Sequence, residues 1–154
     1  MGNIFNQDFR EFLHALNNQH VEYLLVGGYA VILHGYPRTT GDMDIWVNRD
    51  AANFQRLQKA FAQFGMPMFD MTEERFLHHT DIDVFRFGRK PVAIDIMTKM
   101  GGLDFKECYC MATVFNDDDL TIKVVHYNHL ITAKKAAGRH KDLGDIEYLE
   151  KEEE

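Results

Sequence analysis

No stretch of the 154-residue chain is both long and apolar enough to cross a bilayer, which takes about 20 consecutive apolar residues. The longest run, Tyr23 to Leu33, is broken by Gly27 and Gly28. The opening residues, Met1 to Gln7, lack the basic region and apolar core of a secretory signal. Cysteine is scarce. Cys108 and Cys110 are the only two and lie one residue apart. On a strand such a pair lies on one face, and so close along the chain it is poorly placed to bridge. Free thiols predict a reducing, cytoplasmic setting, and a cysteine metal site lacks further ligands. Only three prolines occur, Pro37, Pro67 and Pro91, and there are no repeats or low-complexity linkers. Positive charge is in deficit: 17 Lys and Arg stand against 24 Asp and Glu, a net charge of −7. Four Glu and one Lys of that balance sit in the acidic tail 150–154. The deficit excludes nucleic-acid binding by bulk charge, which needs many cationic phosphate contacts. A local basic site stays open.

What is present is an ordinary globular composition, 45% hydrophobic and 27% charged. The length predicts one domain over residues 1–154 with a core of its own. Phe9, Phe12, Leu13 and Leu16 mark an amphipathic helix over 7–19. Val21 to Val26 reads as a buried strand ended by a tight Gly27-Gly28 turn, and Tyr29 to His34 as a helix. Met43 to Val47 is a second strand, and 50–64 a second amphipathic helix. Val84 to Phe87 and Val92 to Met97 read as a hairpin about a turn at Gly88-Arg89-Lys90. A strand over Leu120 to Val125, with room for one more before it, and helices over 127–137 and 142–150 about a break at Gly138 complete the chain. The expected fold class is α/β or α+β, one mixed β-sheet packed by helices.

The strongest chemical signal joins a glycine turn to two acids. Thirteen residues separate Gly28 from Asp42, and Asp42 and Asp44 then sit at i and i+2 as a strand begins. A period of two sets both carboxylates on one face. Adjacent acids repel unless a counter-ion intervenes, and hard oxygen ligands suit Mg²⁺ or Mn²⁺. The glycines let a phosphate approach backbone N–H groups where no Cβ intrudes. Asp95 stands alone in the apolar run Val92 to Met97, and a lone acid in a buried strand needs a partner. If its strand lies beside that of Asp44, three carboxylates converge as ligands for metal-assisted phosphoryl or nucleotidyl transfer. Capping and turn formation are the plain alternative for Asp42 and Asp44. Asp81-Ile82-Asp83 repeats the local spacing without a glycine turn and follows His78 and His79. Residues 78–83 read as a solvated loop, although a metal-dependent phosphohydrolase would draw on that cluster.

Val26-Gly27-Gly28, Asp42-Met43-Asp44 and Ile94-Asp95-Ile96 resemble the DNA polymerase β-like nucleotidyltransferase superfamily. The stretch from Gly27 to Asp44, with Lys134, Ala137-Gly138-Arg139 and Lys141-Asp142-Leu143-Gly144-Asp145, is similar to the small AbiEii-type toxin-like members. The resemblance spans roughly residues 20–150 and implies a nucleotidyltransferase fold, an NTP substrate such as ATP, and Mg²⁺. By likeness, Gly27 and Gly28 hold the triphosphate, Asp42 and Asp44 ligate metal, and Asp95 is the third acid and the base for an acceptor hydroxyl. Tyr29 stands where many relatives place a phosphate-binding serine.

On a continuous helix Lys134, Lys141, Asp142 and Asp145 would share one face, with Arg139 off it. Lys134 and Arg139 could neutralise a triphosphate, with Lys141, Asp142 and Asp145 in support; a salt-bridged surface helix is the alternative. Arg38 and Thr39 are candidates for nucleotide or acceptor contacts, or simply part of a turn. The acceptor stays open among RNA or tRNA, a protein and a small hydroxylated compound such as an aminoglycoside or lincosamide. A toxin-like role would bring a cognate antitoxin, and the apolar stretches suggest a homodimer. A catalytically idle module that binds nucleotide or a partner protein is the competing reading.

Overall fold

The computed structural model describes residues 4–79, 81–89 and 91–153. Helix α1 (Gln7–Asn18) starts where the Asn6 side chain accepts a hydrogen bond from the Phe9 N–H, and it buries Phe9, Phe12, Leu13 and Leu16. Strand β1 (Tyr23–Val26) passes straight into helix α2 (Gly27–Leu33). The glycine pair is therefore the first turn of a helix rather than a separate turn. Gly27 takes φ +68, a conformation open to a residue without Cβ. Strand β2 (Met43–Val47) follows, then helix α3 (Ala51–Phe64), capped by Asp50 and closed by Gly65 at φ +87.

Helix α4 (Glu73–His78) is an element the sequence pattern does not announce, and the expected loop at 78–83 begins at its last residue. Strands β3 (Val84–Arg89) and β4 (Val92–Met97) form the expected hairpin, but β3 runs through Gly88 and Arg89. Lys90 of the expected turn lies outside the described residues. Helix α5 (Phe105–Cys110) corrects the strand reading of the cysteines. At i and i+2 on a helix they diverge by about 200°; Cys108 is buried, Cys110 exposed, and both are free. Strands β5 (Thr113–Asp117) and β6 (Leu120–Val124) form a second hairpin. Helix α6 (Tyr127–Ala137) ends at Gly138, φ +64, and α7 (His140–Glu153) restarts at once. The two are separate helices, so the shared face expected of one continuous helix does not exist.

The six strands form one mixed sheet in the order β3-β4-β2-β1-β6-β5. Strand β1 is antiparallel to β2 and parallel to β6, β2 is parallel to β4, and both hairpins are antiparallel. Alternation divides the faces. Met43, Ile45, Ile94, Ile96, Phe85 and Phe87 point one way, and Phe87 meets Phe61 of α3 at 4.8 Å between ring centroids. Phe12 brings α1 onto the same layer through Phe61 and Phe64. Asp44, Trp46, Asp95 and Arg86 point the other way, where Trp46 packs on Phe105 of α5 at 5.1 Å. The site therefore opens on the face beneath α5 and α6.

Candidate active site

The parallel pairing of β2 and β4 sets Asp44 directly opposite Asp95. Two residues earlier, just outside β2, Asp42 adds a third carboxylate. Asp95 is buried, while Asp42 and Asp44 are half-buried. Burial, then the neighbouring charges of Asp95 and Asp42, push the Asp44 carboxyl up to about 6. Lys141 and Lys134 pull the other way without overcoming this. Among the described residues the buried Asp42 Oδ1 atom has no hydrogen-bond partner. An orphaned buried acceptor beside two further acids is what a cation site requires. The all-oxygen donor set fits Mg²⁺ or Mn²⁺. Among the described residues, however, no three acid, His or Cys side chains are drawn together as a ready-made cation cage.

The acids are instead met by a side chain of β3. Arg86 is the cross-strand partner of Asp95 and grips it with both arms of its fork, Nε to Oδ1 at 2.8 Å and Nη2 to Oδ2 at 3.0 Å. The same Nη2 lies 3.6 Å from Asp42 Oδ2. Hydrogen bonding to Asp95, reinforced by its charge, raises the Arg86 guanidinium above its ordinary value. Nothing in the local sequence singles out Arg86.

The glycines leave room where the chain has none to spare. A Cβ on Gly27 would run into the Asp44 carboxylate, and one on Gly28 into Thr40 Oγ1. Here, next to the acids, lies a polar cavity of about 290 Å³ lined by Gly27, Gly28, Arg38, Thr40, Arg139 and Lys141 as well as by the three carboxylates. A second cavity of similar volume shares Gly27, Asp44, Lys134 and Arg139 but is otherwise largely apolar, walled by Met97, Met100, Leu130 and Ala133. The ring of Tyr29 is in the core against Phe5 and Phe9, at 5.0 and 5.7 Å between centroids. Thr39 is exposed and outside the polar cavity; its neighbour Thr40, which the sequence pattern does not mark, lines it.

Four of the nominated C-terminal residues are bound up with one another. Lys134 is buried and its Nζ sits 3.0 Å from Asp142 Oδ1 and 3.2 Å from Asp145 Oδ2. Arg139 donates to Asp142 through Nε at 2.6 Å. Burial would raise the Asp142 carboxyl, but hydrogen bonds from Arg139 and Lys134 outweigh it and hold it below the usual range. Arg38 reaches across from its loop to grip Asp145 with Nε at 2.9 Å and Nη2 at 3.0 Å. Asp142 and Asp145 thus fix three cations at the rim. Lys141 is exposed and joins no ion pair among the described residues, yet it lines the polar cavity. The second acid pair is dispersed: Asp81 and Asp83 are exposed, Asp83 reaches only the apolar cavity, and His79 lies 3.8 Å from Glu74.

Solved structures share this architecture. TM1012, a nucleotidyltransferase candidate from Thermotoga maritima, superposes with a TM-score of 0.57 at 15% identity, covering 94% of this chain and 91% of its own. The lincosamide antibiotic adenylyltransferase LnuA, solved with lincomycin bound, gives 0.57 at 17% identity, covering 97% and 98%. An antigenic nucleotidyltransferase-like protein of Paracoccidioides brasiliensis gives 0.53 at 16%, covering 92% and 74%. The chain has the nucleotidyltransferase fold. No protein-family model matches it. No curated protein matches it in sequence.

Proposed function

We propose that this protein is a nucleotidyltransferase that moves a nucleoside monophosphate from an NTP to an acceptor hydroxyl. The observation that carries the reading is the register of Asp44 against Asp95, with Asp42 beside them and a polar, cation-rimmed cavity over Gly27 and Gly28. Backbone N–H groups at the glycines and the Lys141 ammonium receive the triphosphate. Asp42, Asp44 and Asp95 are the residues that would hold Mg²⁺ or Mn²⁺. Such an ion, when bound, neutralises the triphosphate and the leaving oxygen. Asp95 takes the proton of the acceptor hydroxyl. The acceptor oxygen then bonds to the α-phosphorus as the bond to the bridging oxygen breaks, and pyrophosphate departs with that electron pair. Arg139 and Lys141, on the cavity rim, offset its charge.

The reading favours a small hydroxylated acceptor. The chain matches LnuA over nearly the whole of both lengths, and the apolar cavity next to Asp44 offers such a molecule a seat. RNA or tRNA, with a toxin-like role restrained by a cognate antitoxin, and a protein acceptor are its rivals; a homodimer is compatible with each. The test is thermal stability with each of the four NTPs, with and without Mg²⁺, followed by pyrophosphate release with acceptor panels. A ligand at 100 times its Kd adds about 2.7 kcal/mol. A Mg²⁺-dependent shift, abolished in Asp42→Asn, with pyrophosphate release on adding an acceptor, is expected. Binding without turnover across all acceptor classes would instead favour the idle nucleotide-binding module. No binding would overturn both.

A further inference from the structure

The grip of Arg86 on the acids has a meaning of its own. Buried Asp95 has both oxygens engaged by one guanidinium, and that guanidinium also leans on Asp42. A tethered cation therefore already sits among the carboxylates. The tether is open to solvent. Arg86 lies on an edge strand of the sheet, and its side chain is 65% exposed. An arm so open to water can swing away without unpacking the core, and its two-pronged grip gives it the strength to compete with a metal. A long, rotamer-rich side chain regains freedom when released. The Asp42 Oδ1 atom faces none of this and stays unpartnered among the described residues.

We propose that Arg86 is a built-in counter-cation that competes with free divalent metal for Asp95 and Asp42, so that the acid site resists metal until the guanidinium is drawn away. The inference rests on the metal-binding reading above. A purely structural role makes the opposite prediction: if Arg86 merely orients Asp95 as a ligand, removing it weakens metal binding.

The experiment is Mn²⁺ titration by calorimetry and by the loss of free-ion paramagnetic signal, without nucleotide, on the wild type, Arg86→Met and Arg86→Lys. Thermal melts confirm that each variant is folded, and Arg86→Lys serves if Arg86→Met is not. Competition predicts that Arg86→Met binds Mn²⁺ about tenfold more tightly than wild type. Arg86→Lys, a point charge without a fork, falls between them. Equal or weaker binding by Arg86→Met overturns the inference and leaves the metal reading standing. Absence of Mn²⁺ binding in all three overturns both.

Discussion

Replacing Asp44 by Asn removes a charge that the fold holds at a cost. The carboxyl is pushed from an ordinary 3.8 to about 6 by burial and by its acidic neighbours. The folded state therefore keeps the proton to higher pH than the unfolded chain does. Between about pH 4 and 6 the folded chain binds more protons, so stability falls as pH rises through that window and stays low above it. Every tenfold difference in proton affinity between the two states is worth about 1.36 kcal/mol. The ionised Asp44 thus costs the metal-free protein about 3 kcal/mol at pH 7.5. Asn has the same shape and no charge. Asp44→Asn in EDTA should melt about 6–12 °C higher than wild type at pH 7.5, at 2–4 °C per kcal/mol for a chain of this size. At pH 4, where Asp44 is protonated in the fold, the gain should nearly vanish. The assay is differential scanning calorimetry at the two pH values. Equal melting temperatures at pH 7.5, or an undiminished difference at pH 4, would refute the reasoning. The same variant should lose Mg²⁺-dependent nucleotide binding, the trade expected when a strained acid serves function.

The rim cations give contrasting expectations. Asp142→Ala leaves Lys134 buried with only Asp145 beside it, and should cost about 3 kcal/mol in urea denaturation. Because the Asp142 carboxyl is held below its ordinary value, its contribution is present above pH 3.8 and lost as pH falls through the lower folded-state value; the gap between wild type and variant should narrow in acid. Lys141→Ala, at an exposed position, should leave stability within about 0.5 kcal/mol. It should nonetheless weaken NTP binding several-fold in calorimetry, because Lys141 lines the polar cavity.

The acids are readable in the sequence because they obey local rules. Asp42 and Asp44 show a strand period, and Asp95 is a solitary charge in an apolar run. Their meeting is not readable from spacing alone, because β2 and β4 are far apart in sequence and their register is set by tertiary packing. Arg86 is hidden by the hairpin turn. A three-residue turn at 88–90 would set Asp83 opposite Asp95. The actual pairing continues to Arg89 against Val92, which brings Arg86 there instead. Gly88 makes this possible: at φ +73 it passes so near the Val92 carbonyl that a Cβ would collide with it. Helices α4 and α5 are six residues each, too short to display a 3.6-residue period. A capping signal was available for α5, where Asp104 accepts from the Glu107 N–H at 3.0 Å. The joint role of Asp142 and Asp145 depends on the left-handed Gly138, which folds α7 back so that both acids meet Lys134 of α6.

The side chains around the cavity also balance as a set. Arg38, Arg86, Lys134, Arg139 and Lys141 stand against Asp42, Asp44, Asp95, Asp142 and Asp145, five positive groups for five acids. A region neutral in itself exerts little long-range pull on a lone anion or a lone cation. A triphosphate arriving alone would leave it strongly negative, and divalent ions alone would leave it positive. Arriving together they nearly cancel. For a site that takes both ligands, electroneutrality couples them: each raises the affinity of the other by the same factor, and a nucleotide without its metal is discriminated against before shape is consulted.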